Sequence, residues 1–121
     1  MLVEKPITTN SNDTLELINV SKKKNIDILV GHHRRHNPIV KKAFDLINNN
    51  EIGKLRTVHI SCQMYKPSRY FKNKSWSKNE GAGPIIVNLI HDLDLMNYLL
   101  GDIKSVFCNI KSSIRGFENE D

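Results

Sequence analysis

An imidazole, an amide and a lysine are the side chains of this sequence whose placement could do chemistry. Asn88, His91 and Asp92 stand at i, i+3 and i+4 in the run from Gly81 to Gly101, a spacing that puts all three on one face of a helix. An amide, an imidazole and a carboxylate in one notch of an otherwise apolar helix describe the wall of a polar pocket. The same spacing also describes a satisfied core histidine, with Asp92 and Asp94 paired to nearby bases. Lys5 is the third group. Leu2-Val3 reads as the end of a short strand running into Glu4-Lys5-Pro6. Pro6 stops it and biases Lys5 toward an extended conformation, so the lysine is held at the strand's carboxyl end, the edge where open α/β sheets place their ligands.

The elements that must hold these groups follow from pattern. Pro84 after Gly81 and Gly83 marks a helix start, and Gly101 marks its end. Apolar residues between them point in nearly every direction, which predicts one helix buried on most sides. Upstream, a helix over 10–25 has Ser11 or Asn12 as cap, Asp13 and Glu16 at its positive end and Lys22 to Lys24 at its negative end. It joins Leu2-Val3 to an apolar strand, Ile26 to Gly31, as a β-α-β unit. His32 to His36 are five basic or potentially basic residues in a row. That composition would suit an anion, but no carboxylate or cysteine lies at metal-ligand spacing beside them, so no metal site is expected. Asn37 and Pro38 open a helix to Asn50, with Ile39, Val40, Ala43, Phe44, Leu46 and Ile47 as its apolar stripe. Alternation then predicts a strand over Lys54 to Gln63, and Ile103 to Ser113 reads as another. Between the first of these and the central helix, Met64 to Glu80 is an irregular aromatic loop holding Tyr65, Tyr70, Phe71 and Trp76. Such a loop covers a satellite core or forms a lip against a sugar ring.

A formal charge of +5 leaves nucleic acid conceivable. The lysines, however, fall at helix ends and in polar loops with no aromatic interleaving, which excludes a dedicated nucleic-acid surface. No apolar run is long enough to span a membrane. Cys62 and Cys108 lack metal-ligand spacing and lie in apolar strand-like runs, which predicts buried, reduced thiols and a cytoplasmic location.

The run G-A-G-P-I-I-V-N-L-I-H-D-L-D-L-M-N-Y-L-L-G closely resembles a motif of the Gfo/Idh/MocA oxidoreductases. Glu4-Lys5-Pro6 resembles a second hallmark of that family, and V-G-H-H-R-R-H-N-P resembles the link between its two domains. The resemblance implies an α/β chain in which 1–36 end a Rossmann-type parallel sheet. Residues 37–121 would begin an α+β substrate domain, an open and mainly antiparallel sheet packed on helices. It implies Lys5 and His91 as catalytic residues and Asn88, Tyr70 and Trp76 as substrate contacts. Glu4, Lys5, Pro6, Arg34 and Arg35 would lie on the cofactor side, with NAD or NADP as cofactor and a sugar or polyol as substrate. Two positions depart from the family pattern: Val87 stands where many members have an aspartate, and Ser77 follows Trp76 where many have an arginine. The G-x-G-x-x-G loop that receives a pyrophosphate does not occur in the 121 residues. The chain thus reads as a fragment of an oxidoreductase, inactive alone. The competing readings are a non-catalytic module or one half of a split enzyme, completed by a second copy on the open sheet face or by a complementary N-terminal half, and a degenerate product without function.

Overall fold

The chain enters through β1 (Leu2–Val3), which pairs in parallel with β2 (Leu29–Val30), Leu2 opposite Leu29 and Val3 opposite Val30. Parallel neighbours need a crossover, and α1 (Ser11–Lys24) supplies it. The computed structural model describes residues 1–120. Asn10, not Ser11 or Asn12, caps α1: its backbone is extended at φ −146° and its side chain accepts from the Asp13 N–H at 2.9 Å. Asp13 in the first turn and Lys22 to Lys24 in the last complement the helix dipole. Asn25, at φ 53°, ends the helix.

Past β2 the chain makes one 3-10 turn, His33–His36, and enters α2 (Pro38–Asn48), capped by Asn37 with Pro38 at its first position. The aromatic loop is more ordered than its composition suggests. It contains a short helix, α3 (Ser68–Asn73), and a 3-10 turn, Ser75–Lys78.

The central element is not one uniform helix. Pro84 opens a wide π-type turn, Ile85–Leu89, which passes into α4 (Ile90–Leu100). Gly101 closes α4 at φ 87°, a backbone angle that favours glycine. Phe44 of α2 stacks on Tyr98 of α4 with ring centroids 4.7 Å apart, which fixes how the two helices face each other.

Several expectations fail. Lys54 to Gln63 and Ile103 to Ser113 form no strand ladder, and the expected antiparallel sheet is reduced to a single bridge between Ser112 and Glu120. A strand is held by the neighbour it bonds to, and apart from that one bridge neither run pairs with another strand among the described residues. Cys62 and Cys108 within them are accordingly exposed, not buried. The central helix is also less enclosed than its composition predicts, because no apolar residue is fully buried among the described residues. The β2 strand is likewise confined to Leu29–Val30 and does not begin at Ile26.

Candidate active site

The parallel pair delivers Lys5 to the π-turn. Lys5 follows β1 at its carboxyl end, joined to Pro6 by a cis peptide. Its Nζ donates to the Val87 carbonyl at 2.6 Å. Val87 thus serves through its backbone, at the position where the resemblance would imply an aspartate. Wide π-type turns recur at functional sites because they break the regular helix ladder. Here the widened turn lies immediately before His91.

His91 sits in the first turn of α4. Its ring meets His33 edge to face at a centroid distance of 5.0 Å. Burial is the main cause that lowers its pKa below the ordinary histidine value, and the positive charges of Lys5 and Arg34 lower it further, with smaller contributions from His33 and His32. The imidazole is therefore neutral at pH 7, the form in which one ring nitrogen can accept a proton.

The basic stretch is bound to α4 by two ion pairs. Arg34 Nη1 donates to Asp92 Oδ1 at 2.7 Å. Arg35 grips Asp94 with both edges of its fork: Nε reaches Oδ1 at 3.0 Å and Oδ2 at 2.8 Å, and Nη2 also bonds Oδ1. That hydrogen-bonded carboxylate raises the Arg35 pKa. Asp94 is among the few buried polar residues. His32 Nδ1 approaches it to 3.5 Å, within ion-pair range but without the alignment of a hydrogen bond. Asp92 and Asp94 thus pair with bases, the plainer of the two readings open to them from sequence. The Glu4 carboxylate lies against Gly31, at the opposite side of the strand end from Lys5.

Asn88 is engaged by a lysine that the sequence reading passed over. Lys66 Nζ donates to Asn88 Oδ1 at 2.6 Å and stands 4.8 Å from the centre of the Tyr70 ring. Lys74 lies at the same distance from Tyr70 and 6.0 Å from the Trp76 ring. Tyr70 therefore joins the notch through Lys66, whereas Trp76 is linked to it only through Lys74. A signal for Lys66 was present: Lys66-Pro67 repeats the Lys5-Pro6 dipeptide, and in both a proline favours an extended lysine.

A cavity of about 430 Å³ lies on another side of the helix, lined by Ile60, Cys62, Phe71, Ile85, Leu89 and Ile110 among others. Lys5, Asn88 and His91 are not in its wall, though Lys66 and Tyr70 border it. Between the two runs and the helix its lining mixes these apolar side chains with Lys66, Lys111, Asn119 and Glu120. Among the described residues no group of His, Cys, Asp and Glu is placed to hold a metal ion. No helix among them is long and apolar enough to cross a membrane.

Comparison with known proteins identifies the family. The chain is 28% identical over 123 residues to 2,7-anhydro-N-acetylneuraminate hydratase of Escherichia coli, covering 98% of this chain and 32% of that protein. It is 27% identical over 110 residues to myo-inositol 2-dehydrogenase of Thermotoga maritima, covering 88% and 30%. A shorter match, 40% identical over 60 residues, covers 46% of this chain and 17% of dTDP-3,4-didehydro-2,6-dideoxy-alpha-D-glucose 3-reductase of Saccharopolyspora spinosa. The chain spans about a third of the length of the relatives it matches. No solved structure matches it significantly. Several relatives are named oxidoreductases, and the family model described as "GFO/IDH/MocA C-terminal domain" matches residues 40–121: the chain belongs to the GFO/IDH/MocA family.

Proposed function

We propose that this chain supplies substrate-side and nicotinamide-end residues of an NAD(P)-dependent oxidoreductase acting on a hydroxyl or ketone of a sugar or polyol. One observation carries the reading. Lys5 from the end of a parallel strand and His91 from a separate helix converge on one π-turn, with the imidazole held neutral. The names of the relatives support the substrate class, since each similar protein cited above acts on a polyhydroxylated ring or a derivative of one.

The residues present fit one end of a dinucleotide. Lys5 offers its ammonium at the carboxyl edge of β1, with Glu4 and Pro6 flanking it, where a nicotinamide ribose would lie. When bound, the nicotinamide exchanges a hydride with the substrate carbon. For alcohol oxidation, His91 takes the hydroxyl proton on its free ring nitrogen as the carbonyl forms, and returns it in the reverse direction. The remaining donors of Lys5 polarise the reacting oxygen, and Asn88 orients a neighbouring hydroxyl. Arg34 and Arg35, for which the resemblance implies the cofactor side, act by locking the loop after β2 onto α4. The location that suits this chemistry is the cytoplasm.

Titrating the purified chain with NADH while following Trp76 fluorescence tests the reading. Saturable quenching that weakens in Lys5→Ala is expected; quenching indifferent to that change, or none at all, would remove it. A second reading, a module that works only when paired with another chain or a second copy, is favoured by the exposure of Leu2 and Leu29 on the small sheet and of Val106 and Phe107 downstream. Under it the same titration shows no binding until a complementary nucleotide-binding half is added.

A further inference from the structure

Two ammonium groups meet the notch before His91 without a carboxylate in ion-pair contact, the Glu120 carboxylate at the start of the π-turn being engaged by the Ile85 N–H. Lys5 Nζ bonds the Val87 carbonyl and Lys66 Nζ bonds the Asn88 amide oxygen, so two ammonium groups arrive on consecutive residues of the π-turn. Both acceptors are uncharged. Among the described residues neither lysine has a carboxylate within ion-pair distance, while the neighbouring Asp92 and Asp94 are already committed to Arg34 and Arg35. Lys5 also acts on His91, whose protonated form is disfavoured first by burial and then by the Lys5 charge.

Ser77 is 3% exposed, its hydroxyl donates to the Lys74 carbonyl at 2.6 Å, and its own carbonyl accepts from Asn119 Nδ2 at 2.6 Å. It is absorbed in internal structure and presents nothing to a ligand. The Lys66 ammonium, by contrast, spends one donor on Asn88 and retains two, poised beside the Tyr70 ring face. A cation steadied by an aromatic face and an amide, one helical turn from His91, is arranged to receive anionic oxygen.

We propose that this notch takes a polyhydroxylated ligand bearing an anionic group, a carboxylate or a phosphate, and that Lys66 is its principal charge contact. The proposal rests on the notch being the substrate side of the site described above, and it names the class of substrate. A neutral sugar would leave both ammonium groups without a counter-charge; an acid sugar supplies one.

Calorimetric titration of the full chain with D-glucuronate, D-glucose 6-phosphate and D-glucose at matched ionic strength tests it without any cofactor. One of the two anions should bind about tenfold or more tightly than glucose, as a charge-assisted hydrogen bond allows, and which one binds identifies the group. The preference should vanish in Lys66→Gln and survive in Lys66→Arg, with circular dichroism showing all three proteins equally folded. Equal binding of the three sugars, no binding of either anion, or an anion preference unchanged in Lys66→Gln would overturn it. NADH titration separates this from the oxidoreductase reading: Lys66-dependent sugar-acid binding with no NADH binding would refute the redox role alone, and the converse would refute only the anionic substrate.

Discussion

Two positive groups and one imidazole share a small volume at the residue scale, and the histidine yields. Because burial and the Lys5 charge both disfavour its protonated form, removing that charge in Lys5→Met should raise the His91 pKa, read from the pH dependence of its ring proton resonance by NMR. The stability consequence has a definite sign. The unfolded chain takes up a proton at His91 near pH 6.5 whereas the folded chain does so only at lower pH. Stability is therefore full above about pH 6.5 and falls as the solution is acidified through the window down to the folded pKa. Denaturation midpoints across pH 5 to 8 should show this slope, reduced in His91→Gln. His91, Lys5 and Asn88 were visible in the sequence because a histidine and an amide at helical spacing in an apolar helix, and a lysine before a proline at a strand end, are local patterns. Lys66 carries the same lysine–proline signal, but its bond to Asn88, 22 residues away, depends on the path of the aromatic loop.

At the scale of elements, the loop after β2 is fastened to α4 by two ion pairs of unequal worth. Asp94 is buried with a side chain 6% exposed and receives a bidentate arginine; Asp92 is more open at 20%, while Arg34 and Arg35 are about equally exposed. Removing one partner from a buried pair strands the other, whereas an exposed pair is screened by water. Asp94→Asn should thus cost about 2 kcal/mol in urea denaturation and Asp92→Asn less than about 1 kcal/mol. A larger effect at Asp92 would reverse this ranking. Helix ends followed local chemistry closely: Asn37 caps α2, Pro38 sits at its first turn, and Gly101 ends α4. The π-turn did not announce itself, since Ile85 to Leu89 carries no residue that demands it.

For the whole molecule, the balance of covered and uncovered surface is decisive. Phe107 is 94% exposed and Val106 79%, and no apolar residue is fully buried among the described residues. Apolar faces of this extent associate or take up apolar dyes. Sedimentation velocity over a hundredfold concentration range should therefore show mass rising with concentration, and Val106→Lys with Phe107→Lys should suppress it. A monomer at all concentrations would show that these faces are not used for association.

The sequence by itself determined the local grammar: the three longer helices and several of their end signals, the β-α-β entry, and a family membership written in contiguous motifs. Those features depend on capping, propensity and short-range spacing, which act within a few residues. Tertiary structure alone decided that Lys5 reaches Val87, that Lys66 reaches Asn88, that Arg34 and Arg35 select Asp92 and Asp94, and that the runs at 54–63 and 103–113 stay without a ladder. Each of those depends on a partner distant in sequence, and a hydrogen bond, an ion pair or a strand exists only once the fold brings that partner within reach.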